Sequence, residues 1–339
     1  MKGVFFEKPG HLILRDDLPK PQISEDEVLI KVKNCGICGS DVSSYKNGAM
    51  SSQQIILGHE FSGEIVELGT NVYNVKIGDR VTANPNIPCL DCYFCKQGLE
   101  NMCIHNTKGI THDGALAEFI SVRFDRLHHL PDGMSYEEGA LIEPLSNAVY
   151  AVKLAQFELG RNVAIYGAGT IGLMVSQVLK STGASYIYVI EPIESKRNLA
   201  IDLGADYSFE PKKQKKIYRM TDKVGVDYIF DCVGIPETIM NSYSLVKRGG
   251  LIMLIGMYTD PFEIKGWLQI TSKNLTIKGM YLSNQDAFKT AIQLIEQKKV
   301  YVSKLISKRI KLEAVPDEYA QLSSGLHENI KTMVEIDSE

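Results

Sequence analysis

The sequence predicts an α/β protein with two domains, an antiparallel β domain and a parallel sheet covered by helices. Three observations support this prediction. Up to about residue 130 the chain has short runs that alternate apolar and polar side chains, and residues 135–157 then have helical spacing. Beyond them, continuous apolar strands alternate with helices. At 339 residues, the chain is long enough for two buried cores.

The β domain is predicted from segments in which every second side chain is apolar. The clearest are EVLIKVKNCGIC at 27–38, GEIVELG at 63–69 and AEFISV at 117–122. Such alternation is typical of half-buried strands. In the helical segment that follows, Ser135 and Glu138 have the spacing of a capping box, so we expect a helix to begin after Ser135.

The second domain is predicted from four continuous apolar strands, NVAIYG, YIYVIE, VDYIFDCVG and GGLIMLIG. Helical stretches separate them and begin near Thr170, Glu194, Pro211 and Pro236. Apolar strands separated by helices indicate a parallel sheet that is buried on both faces. After residue 285 we expect one helix and a last strand, KTMVEI, which could extend this domain or return to the first one.

Composition narrows the function classes. The chain is 23% charged and 44% apolar with a net charge of -4, which fits a soluble globular protein and argues against a general nucleic-acid binder. We expect the basic run KKQKK at 212–216 to be a solvated helix face. The N-terminus does not resemble a signal peptide, and no apolar stretch approaches the ~18 residues of a membrane span. We therefore expect a cytoplasmic protein without a membrane partner.

Four cysteines lie within fifteen residues at the spacing C-x2-C-x2-C-x7-C: Cys89, Cys92, Cys95 and Cys103. A reducing cytoplasm disfavours disulfides. The last interval differs from the C-x2-C-x2-C-x3-C-P run of bacterial ferredoxins. Zinc accepts four thiolates in a tetrahedron and leaves no position for substrate. We therefore predict a structural zinc site here, with the chemistry elsewhere.

A second set of zinc donors is Cys38 in NCGICGSD together with His59 and Glu60 in LGHEF. Three protein ligands and one open position are the arrangement of a catalytic zinc. Each residue taken alone also has a structural explanation: a core cysteine, a turn histidine and a surface glutamate. We interpret Cys35 and Cys232 as core residues.

The segment YGAGTIG has the G-x-G-x-x-G order of a dinucleotide-binding turn, with Gly167, Gly169 and Gly172 as its glycines and Thr170 and Ile171 between them. It follows a predicted strand and opens a predicted helix, as this motif requires. The glycines permit a tight turn and a close backbone approach to a pyrophosphate, which lies at the helix N-terminus.

Glu191 ends the next strand, nineteen residues after Gly172. A carboxylate at this position binds both ribose hydroxyls of NAD and repels the 2′-phosphate of NADP, so we predict NAD as the cofactor. Lys196 is expected to face the same ribose, although a surface lysine is an alternative interpretation.

Together, GICGSD, GHE, the four cysteines, IEP and GAGTIG resemble the zinc-containing medium-chain dehydrogenases over essentially the whole chain. Glu143 in LIEPLS, where alcohol dehydrogenases have a zinc-binding cysteine, is similar to the polyol and polyol-phosphate branch of that family. The segment KNGAMSSQQIILGHEFSG is similar to galactitol-1-phosphate dehydrogenases.

The resemblance implies a GroES-like β-barrel catalytic domain at 1–147 and 286–339, with a zinc lobe at 89–103. It implies a Rossmann NAD-binding domain with a doubly wound parallel sheet at 148–285. A homodimer or homotetramer is implied as well, with a small-molecule alcohol or ketone as substrate.

The resemblance also implies two zinc ions per chain. The catalytic ion is expected on Cys38, His59 and a carboxylate from either Glu60 or Glu143. Ser40 matches the hydroxyl that passes the alcohol proton outward, and Ser43 stands where many relatives continue this relay with a histidine.

We therefore expect hydride transfer between NAD and a secondary alcohol, either a polyol or a polyol phosphate. The alternatives are an L-threonine 3-dehydrogenase or a 2,3-butanediol-type dehydrogenase. Threonine dehydrogenases often carry a histidine where this chain has Asn86, which weakens that alternative. A zinc-ribbon interaction module, from another class, and a zinc-independent quinone reductase of the same superfamily both fit the combined motifs less well.

Overall fold

The computed structural model describes residues 1–103, 108–325 and 327–336. The chain forms two compact units. Unit 1 contains Met1–Ser146, Ser283–Glu296 and the segment from Val302 onward, and unit 2 contains Asn147–Leu282 and Gln297–Tyr301. Among the residues described, no helix has both the length and the apolar character needed to span a membrane.

The described residues form sixteen strands and eleven α-helices, with short 3-10 turns between some of them. The strands are β1 (Gly3–Lys8), β2 (His11–Arg15), β3 (Glu27–Gly36), β4 (Ile55–Ile56), β5 (Glu60–Leu68), β6 (Arg80–Ala83), β7 (Phe119–Arg123), β8 (Leu127–His129), β9 (Val163–Tyr166), β10 (Ile187–Ile190), β11 (Tyr207–Phe209), β12 (Val226–Asp231), β13 (Val246–Leu254), β14 (Thr276–Gly279), β15 (Ile306–Lys311) and β16 (Lys331–Glu335). The helices are α1 (Gly39–Asn47), α2 (Tyr93–Lys96), α3 (Tyr136–Ala140), α4 (Ile142–Leu154), α5 (Thr170–Ser181), α6 (Glu194–Asp202), α7 (Lys215–Met220), α8 (Pro236–Leu245), α9 (Trp267–Ser272), α10 (Gln285–Glu296) and α11 (Val315–Leu322).

Unit 1 is built on a seven-stranded sheet in the order β15-β16-β3-β5-β6-β8, with β7 also paired to β3. All pairs in it are antiparallel except β15 with β16, and a second antiparallel sheet has the order β2-β1-β4. The expected antiparallel β domain is confirmed. The last strand, β16, pairs with β3 and places Met333 opposite Gly36, so the C-terminal segment returns to the first domain as part of its large sheet.

Strand β3 is more buried than its alternating pattern predicts. Val28, Leu29 and Ile30 are consecutive, so they point to both faces of the sheet, and all three are fully buried. Strands β5, β7 and β16 pair with β3, and α3 packs over β3 and β5. Because β3 is covered on both faces, period-two alternation underestimates its burial.

Unit 2 contains a parallel sheet in the order β11-β10-β9-β12-β13-β14, which is the doubly wound order. Its buried strands confirm the predicted parallel sheet. In this topology the strand order reverses at β9 and β12, and ligands bind in the crevice at the carboxyl ends of the strands around that point.

The predicted helix starts at Thr170, Glu194 and Pro236 are confirmed as the first residues of α5, α6 and α8. At Pro211 the chain instead makes a 3-10 turn, Pro211–Lys213, before α7 begins. Residues 135–157 contain two helices, α3 and α4, because the predicted single helix is interrupted at Leu141. The capping box of Ser135 and Glu138 is present.

Candidate metal and cofactor sites

The cysteine lobe, defined by Cys89, Cys92, Cys95 and Cys103, is a loop that carries α2 and one 3-10 turn. The four sulfur atoms lie within 4.8 Å of one another. Two of these distances are 3.5 Å, between the sulfurs of Cys92 and Cys95, and 4.0 Å, between those of Cys89 and Cys95. Sulfurs bound to zinc at ~2.3 Å in a tetrahedron are about 3.8 Å apart, so the lobe fits a closed zinc site.

Backbone groups of the lobe favour thiolate at one of its corners. The N–H of Cys92 donates to the sulfur of Cys89 at 3.2 Å. The backbone N–H groups of Asp91 and Cys92 lower the pKa of Cys89 to about 6. Desolvation and the hydrogen bond from Cys92 raise the pKa of Cys95 to about 12. Because the thiolate is the form that binds metal, Cys89 is the sulfur best prepared for an incoming ion.

The donor triad, Cys38, His59 and Glu60, is assembled by two neighbouring strands of unit 1. Cys38 is the N-cap of α1 just after β3, and Glu60 is the first residue of β5. Strand pairing places Glu60 opposite Gly36, and one ligand atom from each triad residue lies within 4.8 Å of the others. A Cβ on Gly36 would be 2.2 Å from Oε2 of Glu60, so a larger residue at this position would displace the carboxylate.

Asp41, on α1, orients the histidine of the donor triad. Its Oδ1 lies 3.3 Å from Nδ1 of His59, and Asp41 is fully buried. Burial opposes the charged imidazole, but Asp41 and Cys38 together raise the pKa of His59 well above its usual value. Metal-binding histidines commonly turn their other ring nitrogen to a carboxylate, so Asp41 leaves Nε2 of His59 for a metal.

These buried atoms have unsatisfied hydrogen-bonding capacity. Oδ1 of Asp41 and Nδ1 of His59 face each other at 3.3 Å without full hydrogen-bond geometry, and Oδ2 of Asp41 and the hydroxyl of Tyr319 are buried without a hydrogen bond to another described residue. Buried polar groups without partners are uncommon in folded proteins. The donor set of one thiol, one imidazole and one carboxylate fits a bound divalent cation.

Lys331 makes a buried ion pair with the donor triad. Its Nζ lies 2.8 Å from Oε1 and 2.5 Å from Oε2 of Glu60, and it also donates to the carbonyl of Ile37 at 2.8 Å. Both side chains are almost completely buried. Burial lowers the pKa of Lys331, but Glu60 and Cys38 outweigh this effect and raise it.

Glu143 lies near this cluster without being part of the compact triad. It is buried in the first turn of α4, and its charge contributes to the raised pKa of Lys331. Among the described residues, the group whose ligand atoms all lie within 4.8 Å contains Glu60 and does not include Glu143. The geometry therefore places Glu60 in the triad and Glu143 at its periphery.

Ser40 and the two other cysteines have distinct environments. The hydroxyl of Ser40 donates to the sulfur of Cys38 at 3.2 Å, which places it beside the donor triad. Cys35 is fully buried, and burial raises its pKa well above the usual value. Burial also raises the pKa of Cys232, so both thiols remain protonated, but Cys232 is only half-buried and is therefore less of a core residue than expected.

The glycine turn of unit 2 joins β9 to α5. Gly167 has a left-handed φ of 89°, and a Cβ on Gly172 would be only 2.0 Å from the carbonyl oxygen of Gly167. A Cβ on Gly169 would meet no atom within 4 Å, so the backbone there is open to an approaching group. Thr170 and Ile171 begin α5, whose first N–H groups can bind phosphate.

Glu191 lies directly beside this turn. Its Oε2 accepts a hydrogen bond from the N–H of Ala168 at 2.8 Å, and its Oε1 accepts one from Ile193 at 3.0 Å. Lys196 is buried on α6, and Nη1 of Arg197 donates to the carbonyl of Glu191 at 2.9 Å. The strand end, the glycine turn and the carboxylate therefore form one cradle that fits a dinucleotide.

Sequence reasoning did not identify Asp41, Lys331 or Tyr319 as parts of the metal-site surroundings. Asp41 lies within the quoted GICGSD segment, and Lys331 is a lysine at the start of an otherwise apolar strand, KTMVEI. A charge in an apolar strand is a signal that could have identified Lys331. No comparable signal marks Tyr319.

Profiles of two protein families match the chain. That of the alcohol dehydrogenase GroES-like domain matches residues 24–132, and that of zinc-binding dehydrogenases matches residues 170–297.

Named relatives match along nearly the whole chain. A D-arabitol-phosphate dehydrogenase from Enterococcus avium is 33% identical and aligns over 100% of this chain and 98% of its own. The structure of galactitol-1-phosphate dehydrogenase from Escherichia coli superposes with a TM-score of 0.92 at 28% identity, covering 99% of this chain and 100% of its own. A zinc-binding dehydrogenase from Sinorhizobium meliloti 1021, bound to NADP, gives a TM-score of 0.91 at 30% identity with 98% of both chains covered.

Proposed function

Because this chain belongs to the alcohol dehydrogenase family of zinc-binding oxidoreductases, we propose that it oxidises a polyol or polyol phosphate with NAD as the hydride acceptor. The observation that carries the proposal is the donor triad of Cys38, His59 and Glu60, backed by the buried Asp41. Three protein donors leave a fourth position for a substrate oxygen, as in catalytic zinc sites.

The residues of unit 1 have separate roles in this proposal. Cys38, His59 and a carboxylate hold the catalytic zinc, and we assign that carboxylate to Glu60 and an outer position to Glu143. When bound, zinc acts as a Lewis acid that lowers the pKa of a substrate hydroxyl. The cysteine lobe holds a second zinc that braces its own loop.

Ser40 and Ser43 are assigned to proton transfer. The hydroxyl of Ser40 lies 3.2 Å from the sulfur of Cys38, a proposed zinc ligand. A substrate hydroxyl on the zinc therefore lies near Ser40, which accepts its proton and passes a proton on. Ser43 is exposed on the same helix, so water takes the place of the histidine that many relatives have there. The proton thus leaves the site through a hydroxyl and solvent.

Unit 2 holds the cofactor in this proposal. The turn from Gly167 to Gly172 binds the pyrophosphate with its backbone and with the N-terminus of α5. Glu191 binds the ribose hydroxyls, and its negative charge opposes a 2′-phosphate, so NAD is preferred over NADP. Lys196 lies on the helix that follows Glu191 and is assigned to the same ribose.

We further propose that the protein is a cytoplasmic homo-oligomer. Strand β14 pairs with β13 and has no second partner among the described strands, which leaves one edge of the unit 2 sheet unpaired. The side chains of Trp267 and Leu268 on α9 are 68% and 76% exposed. An unpaired edge and exposed large apolar side chains favour contact with a second copy. The cytoplasmic assignment rests on zinc sites that require reduced thiolates.

Initial rates of NAD reduction with a substrate panel test the proposed activity. The panel contains free alditols, alditol phosphates, L-threonine and 2,3-butanediol. We expect the highest kcat/KM with an alditol or alditol phosphate, and a strong loss of rate after zinc is removed with a chelator. A higher kcat/KM with threonine or butanediol, or a rate unaffected by chelation, would contradict the proposal.

A further inference from the structure

A cavity of about 840 Å³ in unit 2 uses none of the residues assigned to the metals or to NAD. Its walls include α7, the end of α8 and the start of β13. The turn that leads into β12 also lines it, so the cavity extends to the edge where the parallel strands begin. The glycine turn follows the carboxyl end of β9 and lies at the opposite edge. The volume is within the ~300–1,000 Å³ typical of small-molecule sites.

The lining of this cavity, called the cation cavity below, is strongly basic. Its charged lining residues are Lys215, Arg219, Lys223, Lys247, Arg248 and Lys273, with no aspartate or glutamate among the lining residues. The whole chain has a net charge of -4, so this basic lining is a local feature. Lys247 pairs with Asp227, which neutralises one of the six charges.

Two of the cations are fixed in place by backbone carbonyls. Nη1 of Arg248 donates to the carbonyl of Ser272 at 2.7 Å, and Nζ of Lys273 donates to the carbonyls of Tyr243 at 2.6 Å and Val246 at 2.9 Å. Burial and then the charge of Arg248 lower the pKa of Lys273. Like charges are therefore held close together, and an anion between them would relieve the repulsion.

Three more cations are free to bind a ligand. Lys215 and Arg219 are four residues apart on α7 and so lie on one face of it. Lys223 lies in a turn held by the hydroxyl of Thr221, which accepts a hydrogen bond from the N–H of Gly225 at 3.1 Å. Across the described chain, the side chains of these three cations make no hydrogen bond or ion pair.

The cavity also has an apolar part. Leu245 is buried in its wall, and the side chains of Tyr218 and Val224 are 41% and 59% exposed. These groups suit an organic moiety better than a bare inorganic ion. Guanidinium and ammonium groups are the side chains that bind phosphate most strongly.

We propose that the cation cavity binds an organic small molecule with two or more phosphate groups, at a site separate from the cofactor and metal sites. Lys215, Arg219 and Lys223 bind the phosphates, Arg248 and Lys273 supply fixed positive charge, and Tyr218 contacts the organic part. The proposal does not depend on the activity proposed above.

The sequence offers a matched control for this site. Lys216 lies on α7 next to Lys215 but does not line the cavity. The variants Arg219→Glu and Lys216→Glu therefore make the same charge change on one helix, inside and outside the cavity. Lys223→Glu is a second test variant on a different segment, so the proposal stays testable if Arg219→Glu does not fold.

The experiment is calorimetric titration of the full-length chain with tripolyphosphate while NAD is present in excess. We expect saturable binding near one molecule per chain. Arg219→Glu and Lys223→Glu should each weaken it by about tenfold or more, as expected for loss of a charge-assisted contact. Lys216→Glu should change the affinity by about twofold or less. Thermal unfolding checks that each variant is folded.

Three results would overturn the proposal. The first is no saturable binding to the wild-type chain. The second is equal weakening by Lys216→Glu, because that would indicate a diffuse charge effect. The third is binding that appears only when NAD is left out of the titration, because tripolyphosphate would then occupy the glycine turn.

Discussion

Lys331 forms an ion pair with Glu60 of the donor triad. The contribution of this pair to stability depends on whether a metal ion is bound to Glu60. Without a cation on Glu60, the lysine is the charge that balances a buried carboxylate. A bound zinc ion would supply a second positive charge to the same group. The lysine is therefore expected to matter most for the zinc-free protein.

We predict that Lys331→Met destabilises the zinc-free protein by about 3–5 kcal/mol, because it leaves a buried carboxylate without a partner. Added zinc should recover part of this loss. Urea unfolding with chelator and with zinc measures both effects. Lys311→Met is the control, since Lys311 pairs with Glu335 at the surface and should cost less than about 1 kcal/mol. Equal stability of Lys331→Met and wild type in chelator would contradict this account.

Glu191 combines two roles, because its carboxylate also accepts hydrogen bonds from Ala168 and Ile193. We predict that Glu191→Ala weakens NAD binding and reduces the discrimination against NADP, since a ribose ligand and a repelling charge are both removed. Fluorescence titration with each reduced cofactor measures the two affinities. Glu194→Ala removes a nearby exposed carboxylate and should leave both unchanged. If the ratio of the two affinities stays constant in Glu191→Ala, the ribose ligand lies elsewhere.

At the scale of elements, His128 joins β8 to α10. Its Nε2 lies 2.9 Å from Oε1 of Gln285, and its ring stacks on Phe288 with centroids 5.1 Å apart. Burial lowers the pKa of His128 from 6.5 to about 4. The folded state thus favours a neutral imidazole at this junction.

The sign of the resulting pH dependence follows from this lowered pKa. Between pH 6.5 and about 4 the unfolded chain binds a proton on this residue and the folded chain does not. We therefore predict that the stability from His128 is complete above that window and is lost as the pH falls through it, by on the order of 3 kcal/mol. Urea unfolding across this range should show a smaller loss in His128→Gln than in wild type. The exposed His11→Gln is the control, and an identical pH profile for His128→Gln would refute the prediction.

The elements that were predicted correctly are those with a local cause. The apolar runs of β9, β10 and β12 and the capping box at Ser135 depend on neighbours in sequence, so they could be identified without a structure. The break at Leu141 and the double-sided burial of β3 depend on packing partners distant in sequence. Period and capping signals do not contain that information.

At the scale of the whole molecule, the two candidate metal clusters differ in how far they could be foreseen. The cysteine lobe is contiguous, so its spacing alone predicted four sulfurs around one point, and the structure brings them together. The surroundings of the donor triad include Lys331, which pairs with Glu60 from 271 residues further along the chain. Such a contact arises only when the C-terminal strand pairs with β3.

The cation cavity is a similar case. The run KKQKK predicted a solvated helix face, and Lys215 and Lys216 on α7 are both exposed. Lys215 also lines a cavity together with Lys247 and Lys273, which lie on later segments of unit 2. Sequence spacing on one helix could not reveal that these charges converge.

In the proposed mechanism the donor triad carries the chemistry, and the cysteine lobe and the cofactor cradle do not depend on it. The most direct test measures zinc content, NAD binding and hydride transfer together in Cys38→Ser. We predict that zinc falls from two ions per chain to one, that NAD affinity is unchanged, and that hydride transfer is lost, because only one of the two clusters is altered. Dehydrogenase activity retained with a single zinc ion per chain would contradict the assignment of the catalytic zinc to the donor triad.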